Sequence, residues 1–512
     1  MKIQTPSPKR LFFAGAFAGL MLATASANNL QVGNVRLMNH DAFAKTIDVV
    51  FNLQWDNAWR GTYDGVESWD AAWVFVKFKA PGATEWAHVW IDPDSVANSA
   101  TSGTVDIGTT AVAGTPRGMG AFVYSAAARA GGVIYPNTRL RWDYGAQGLN
   151  FNAGGDIEVS VHALEMVYVA DGAFWAGNTN GVLNNSFRDA ADPTLPVRIA
   201  SEDALTLYYG TNTPTTSYAI PAGFPKGTRG FYCMKHMVTQ GQYVEFLNMQ
   251  TRARQAQLCS AVTQGRYMYY DDSKTTPQNW NTVHVADATV DPLPRVYETP
   301  TPNLLCNWIG WDDAIRYSAW VGLRPMTELE FEKACRGPLA TVDGEFPWGD
   351  TLYAIMYHSG NKESTGRETA AGAGRTSAGW NPDYSANCAI KLPTAGTSQM
   401  PRAGIFATAT SSRRQSGASY WGIMHLGCTL NEQVVSPRDA TGLGFQGTHG
   451  SGSTAYPADW PPVGYGATAG IARRGGDFNS EYPKARVADR SGISHGGARS
   501  MLWGWRAVRT AP

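Results

Sequence analysis

The residues whose types and spacing could do chemistry crowd into the C-terminal stretch from Arg473 to Arg509. Arg473, Arg474, Arg486, Arg490, Arg506 and Arg509 cluster there. Guanidinium forks can grip an anion or build buried salt bridges that hold a frame; the frame is the use favoured. Among them lie Asp477, Phe478, Asn479, Ser480, Tyr482, His495, Arg499, Met501, Leu502 and Trp503. This mixture of aromatic anchors and adaptable polar groups suits a ligand-binding face, in the loops 477–484 and 491–503. Other chemistry is less well supported. Gly492-Ile493-Ser494-His495-Gly496 has nucleophile-elbow spacing, yet no apolar strand leads in and no helical run follows. The 9 histidines are scattered, without an H-E-x-x-H pattern, so a zinc hydrolase has no support. Gly118-Met119-Gly120 lacks both the P-loop lysine and the full dinucleotide fingerprint.

The elements that must position this stretch are short. Gly475 and Gly476 behind the paired arginines let a strand turn tightly, since glycine takes positive φ without a Cβ clash. Ala485-Arg486-Val487-Ala488-Asp489-Arg490 alternates small apolar and charged residues, which predicts a half-buried strand, and Gly504-Trp505-Arg506-Ala507-Val508-Arg509 predicts a second. Upstream, Thr239 with Gln242 and Thr327 with Glu330 have capping-box spacing and predict two helix starts. The run Trp311 to Trp320 predicts a further helix before Gly322, and Gly337-Pro338 ends the helix opened by Thr327.

Residues 28–163 read differently. Period-two runs such as Thr46 to Leu53, Ala72 to Phe78 and Ile157 to Val161 predict an antiparallel β-sandwich. Its tryptophans are read first as packing, with sugar binding the lesser reading. At the start, Lys2, Lys9 and Arg10 precede the apolar run Leu11 to Ala23 and the small-x-small Ala25-Ser26-Ala27. This predicts a secretory signal peptide over 1–27, with the mature chain beginning at Asn28 in the periplasm or outside the cell. No later segment approaches the ~20 consecutive apolar residues of a membrane-spanning helix. Lys+Arg and Asp+Glu are equal at 42 each, so bulk charge recruits neither nucleic acid nor an anionic membrane. The 6 cysteines, Cys233, Cys259, Cys306, Cys335, Cys388 and Cys428, contain no C-x-x-C pair; buried thiols and disulfides both remain open.

Several motifs occur in a fixed order: Met166-Val167-Tyr168-Val169 with Gly172-Ala173-Phe174, Val238 to Tyr243, Leu323-Arg324-Pro325-Met326-Thr327-Glu328-Leu329-Glu330-Phe331-Glu332, Phe346-Pro347-Trp348-Gly349-Asp350, Tyr420-Trp421-Gly422-Ile423-Met424, and Arg474-Gly475-Gly476 followed by Gly504-Trp505-Arg506. In this order they resemble the formylglycine-generating enzyme, or sulfatase-modifying factor, family over 164–512. The resemblance implies a mixed, loop-rich fold related to C-type lectins, so the fold class expected is α+β, with a β-sandwich ahead of this domain. It also implies an oxidase that converts a sulfatase cysteine to formylglycine at a copper ion held by two cysteines. Those positions fall at Ser480 and near Ala485, and no cysteine follows Cys428. A hydroxyl and a methyl cannot replace two thiolates, so copper is not expected. The family's calcium loop corresponds to Gly422 through Gln433, where Glu432 is retained and an oxygen ligand is replaced by His425. Calcium at Glu432 would be structural; a hydrogen-bonding role for that carboxylate is favoured.

The expectation is therefore a secreted, non-catalytic scaffold that binds a protein or carbohydrate at a cell surface through its C-terminal loops. Variable proteins of diversity-generating retroelements, which share this fold, are one version of it. The alternatives are an oxidase or oxygenase with an altered metal site, and a structural surface-assembly protein.

Overall fold

The computed structural model describes residues 29–151, 157–178, 185–209, 216–287, 289–353, 400–407, 411–462, 469–493 and 496–512. The expected signal peptide, Cys388 and His495 lie outside them. The chain divides into two compact units, residues 1–59 with 72–164, and residues 60–71 with 165–512.

The first unit is built from antiparallel strands. Strand Thr46–Tyr63 points Ile47, Val49, Phe51, Leu53 and Trp55 to one face, where they bury against Val74, Val76, Phe78, Leu140 and Trp142. Alternation with period two puts every second side chain on the core side, and each such burial stabilises by roughly 1.5–3 kcal/mol. Trp55, Trp73 and Trp142 are core residues, in line with the packing reading of the tryptophans. Strands Thr46–Tyr63 and Val66–Lys79 form a hairpin that turns through Asp64 and Gly65, with φ of 48° and 80°. Two positive-φ positions are what a type I′ turn requires, and Asp-Gly supplies them at little cost. Its tip, residues 60–71, belongs to the second unit, which the sequence reading did not anticipate. There Trp69 stacks on Tyr168 with ring centroids 4.1 Å apart and donates from Nε1 to the Tyr232 hydroxyl at 3.2 Å. Asp70 lies 3.5 Å from the Lys235 ammonium.

In the second unit the helix starts follow the caps. Thr239 accepts from the Gln242 amide at 3.3 Å while the Gln242 side chain accepts from the Thr239 amide at 3.0 Å, opening helix Gln240–Asn248. Thr327 and Glu330 do the same at 3.1 and 3.0 Å for helix Glu328–Arg336, which stops at Gly337 with φ of 71°. Helix Trp311–Trp320 lies between them. Strand Asn431–Val435 is the centre of a three-stranded sheet, antiparallel to Ile471–Arg474 and parallel to Trp503–Gly504. Gly475 and Gly476 then turn the chain with φ of 84° and 64°. A Cβ at Gly475 would stand 2.4 Å from the Leu426 carbonyl oxygen, so the turn needs glycine for space as well as for φ.

Residues 485–490 do not form the strand expected of them. A 3-10 helix spans Tyr482–Ala485, and the chain continues irregularly to Arg490. Pro483 at the start of the 3-10 turn favours the tight winding, and the following side chains are taken up by separate partners, Arg490 by Glu328 and Asp489 by Ser491. The second expected strand is shorter, Ala507–Thr510, and pairs with Phe231–Met234.

Candidate functional site

Most of the clustered arginines build a frame. Helix Glu328–Arg336 places Glu328 and Glu332 one turn apart, and both are fully buried. Arg474 donates to Glu328 at 3.1 Å and to Glu332 at 2.7 Å, and Arg490 grips both Glu328 oxygens at 2.9 and 2.7 Å. Burial pushes the Glu328 carboxyl up, but Arg490 and Arg474 outweigh it and bring the pKa down to about 2. Arg324 forks onto Glu330 at 2.8 and 2.6 Å, and Arg336 bonds Glu345. Arg506 donates to Glu432 at 3.0 Å and to the carbonyls of Met234, Lys235 and Met424. These pairs hold distant segments in one geometry, as the frame reading requires.

Arg473 is different. In strand Ile471–Arg474 alternate side chains leave opposite faces, so Arg474 turns to the helix and Arg473 to the other side. The register sets Arg473 opposite Gln433, and Asn431 opposite Trp503. Asn431, Gln433, Arg473 and Trp503 therefore share one face of the sheet, and the Arg473 guanidinium lies 4.6 Å from the Trp503 ring centroid. Arg473 makes no salt bridge among the described residues, and its buried Nε has no hydrogen-bond partner. Trp503 Nε1 and Gln433 Oε1 are likewise buried without partners. Burial lowers the Arg473 pKa to about 10, only partly offset by Asp477.

Beside this face is a cavity of about 200 Å³ lined by Asn431, Arg473, Asp477, Asn479, Ser480, Lys484, Asp489, Ser491 and Leu502, with Gly475, Gly476 and Gly492 as its glycines. Leu502 is the one large apolar side chain in that lining. Asp477 accepts from Asn431 Nδ2 and, at 2.9 Å, from the Asn479 amide, and burial raises its carboxyl pKa. Asp489 accepts from the Ser491 hydroxyl at 2.6 Å.

The residues expected at the binding face do not stay together. Asp477, Asn479, Ser480 and Leu502 line the cavity. Phe478, expected to be presented, is 1% exposed in a core cluster with Met237, Leu305, Met400, Ala403 and Leu430, against which Met501 and Leu502 also pack. It is apolar on both sides of its ring, and Trp280 meets it edge-on at 5.6 Å. Trp503, 8% exposed, is a floor beneath Arg473 and not an exposed anchor. Arg499 is a tie: it forks onto Asp313 at 2.7 and 2.8 Å and donates to the Gln257 carbonyl at 2.7 Å. Tyr482 is half-buried, stacked on Tyr353 with centroids 5.0 Å apart. His495 lies outside the described residues. Arg473, Lys484, Asp489 and Asn431 were not named as site residues, although Gln433 and Asn431 sit at alternate positions of a strand, a spacing that could have found the polar face.

The positions that the resemblance gives to copper, which was not expected, and to calcium hold side chains with other surroundings. Ser480 and Ala485 are buried, and Ser480 hydrogen-bonds Asp477. Glu432 has Oε1 on Arg506, while its Oε2 is buried without a hydrogen-bond partner. His425, fixed at φ of 62°, accepts the Gly404 amide proton on Nε2 at 2.9 Å, so Nδ1 carries its hydrogen. Burial, then Arg506 and Arg402, lower its pKa to about 3, leaving a neutral ring with no oxygen donor. Among the cysteines, Cys233, Cys259, Cys306 and Cys335 are buried free thiols and Cys428 is disulfide-bonded.

A family profile described as "Sulfatase-modifying factor enzyme 1-like domain" matches residues 160–511. Among curated proteins the chain is similar to the formylglycine-generating enzymes of Mus musculus and Bos taurus, each 42% identical over 53 residues, 10% of this chain and 14% of the relative. It is similar also to that of Thermomonospora curvata, 41% identical over 54 residues, 10% of this chain and 17% of the relative. The matched stretch thus spans less than a fifth of those relatives.

Proposed function

The chain belongs to the sulfatase-modifying factor enzyme 1-like family over residues 160–511, and from that premise we propose that it binds a ligand at the cavity beside Arg473 without oxidising a cysteine. The observation that carries this reading is the contrast between neighbours: Arg474 forms salt bridges to Glu328 and Glu332 in the frame, while Arg473 is partly desolvated, forms no salt bridge among the described residues and is offset only in part by Asp477. A partly desolvated arginine without a salt bridge costs stability, and functional sites are where folds carry such costs. The non-catalytic half of the reading rests on chemistry: the positions where the family keeps its copper thiolates hold Ser480 and Ala485, and no cysteine follows Cys428. The protein is read as exported, with the N-terminal β unit as an accessory sandwich and the cavity facing a ligand at a cell surface.

Two measurements test this. Protein given copper, oxygen and a Cys-x-Pro-x-Arg peptide leaves the cysteine unchanged; aldehyde formed above a no-protein control refutes the non-catalytic assignment. Asn479→Trp places an indole in the cavity from a half-buried position. It abolishes binding to a glycan and peptide array while the melting temperature holds within a few degrees. Array binding that ignores this substitution places the site elsewhere.

A further inference from the structure

We infer that the cavity takes a carboxylated monosaccharide unit, its carboxylate on Arg473 and its hydroxyls on Asp489, Asn431 and Asn479. The inference rests on the reading of this cavity as the ligand site and narrows its occupant by three steps.

The first step is charge. Arg473 lines the cavity with a guanidinium that makes no salt bridge among the described residues and lies 4.6 Å from the Trp503 ring centroid. A planar fork of this kind matches a carboxylate. Lys484, exposed on the rim, adds a second positive charge. A carboxylate at Arg473 supplies the salt-bridge partner that it lacks among the described residues, where Asp477 offsets its burial only in part.

The second step excludes a bare anion. The same cavity is lined by the carboxylates of Asp477 and Asp489. A simple oxyanion would meet them with repulsion and give them no proton. Asp477 is already occupied by Asn431 and Asn479, but Asp489 spends one oxygen on the amide and hydroxyl of Ser491 and keeps the other for a donor. A ligand that carries a carboxylate and also several hydroxyl donors satisfies both signs of charge at once. A ligand with apolar side chains does not, because Leu502 alone offers it a large apolar surface.

The third step is size. A volume of about 200 Å³ is below the ~300–1,000 Å³ typical of sites for drug-sized ligands, so it admits one ring unit and not an oligomer. A sugar acid at the end of a surface glycan has this combination of a single ring, one carboxylate and adjacent hydroxyls.

The test uses the full chain and three probes, glucuronic acid, glucose and acetate, titrated by calorimetry at fixed ionic strength. Glucuronic acid binds, with glucose and acetate each at least tenfold weaker. Arg473→Gln removes the preference for the acid over glucose by tenfold or more, with the melting temperature unchanged. Should that variant unfold, the Trp503 indole N–H resonance of the unmodified protein decides: it shifts on adding glucuronic acid and stays fixed with glucose. Equal affinity for glucuronic acid and glucose, acetate as tight as glucuronic acid, no binding of any probe, or an unmoved indole resonance with all three overturns the inference. Acid-indifferent sugar binding that is lost in Asn479→Trp would overturn it while leaving the cavity as the ligand site; binding insensitive to Asn479→Trp would remove both.

Discussion

Replacing Glu328 by Gln perturbs the frame without changing its volume. Glu328 is 0% exposed and carries Arg474 and Arg490, themselves 1% and 0% exposed. The amide keeps one acceptor but no charge, so two guanidiniums are left with a single remaining carboxylate, Glu332, on Arg474. Breaking one side of a buried pair costs about 3–5 kcal/mol. An independent route gives a similar figure. The drop of the Glu328 pKa from 4.5 to about 2 corresponds, at roughly 1.4 kcal/mol for each tenfold in proton affinity, to about 3 kcal/mol. With about 2.1 cal/mol/K of unfolding entropy per residue, a unit of this size loses about 4 °C of melting temperature. The sign with pH is also fixed. The folded carboxyl is more acidic than the unfolded one, so its stabilisation is present above pH 4.5 and is lost as pH falls through 4.5 toward about 2. Differential scanning calorimetry at pH 7 and pH 3 reads both effects. Glu328→Gln melts lower than the natural chain at pH 7, and the gap narrows at pH 3. A loss under ~1 kcal/mol at pH 7, or a gap that does not narrow with acid, would refute the claim that charge and not shape holds this helix to the C-terminal segments.

Phe478→Ala, by emptying a buried site among Met237, Leu305 and Leu430, costs about 3–5 kcal/mol in urea unfolding; an unchanged midpoint would return Phe478 to the surface. Burial holds the Lys77 amine well below its ordinary pKa of 10.5, where it meets His88 Nδ1 at 2.9 Å. The unfolded chain therefore binds the proton more readily, and stability rises as pH climbs from 7 toward 10.5; Lys77→Met flattens that slope, and a slope that persists in the variant excludes this amine as its source. Mass spectrometry of exported protein finds Asn28 as the first residue, and Met1 in that fraction would remove the signal peptide from the reading.

The parts of the fold legible in the sequence were those set by short-range chemistry. Thr239 with Gln242 and Thr327 with Glu330 each satisfy orphan helix amides within three residues, so spacing alone identifies them. Gly475 and Gly476 show themselves because no other residue takes that path. The segment 485–490 was misread for the opposite reason. Its alternation is real, but no strand among the described residues pairs with it, and Arg490 is drawn to Glu328, 162 positions away. Strand formation depends on a partner, and a single chain's periodicity does not name one. The same limit hid the burial of Phe478 and the tie from Arg499 to Asp313, both of which are made by residues far upstream.

The adjacent pair Arg473-Arg474 shows why residue type could not assign the site. Both are arginines on one strand, and a list of clustered cations treats them alike. Their division comes from the pleat: one residue's step along the strand exchanges the helix face for the cavity face. Given that Arg474 pairs across from Glu432 and reaches Glu328 and Glu332, Arg473 must point away from every carboxylate of the frame. It then lies over Trp503 because that strand's register brings Trp503 to Asn431, beside Gln433. Exchanging the roles is therefore an informative perturbation. Arg474→Met removes charge from a site with two carboxylates and lowers stability, whereas Arg473→Met removes charge from a site with none paired to it and leaves stability equal or higher. Chemical denaturation of the two variants side by side measures the difference; equal losses would mean that Arg473 belongs to the frame and that the cavity has no unpaired cation to offer a ligand.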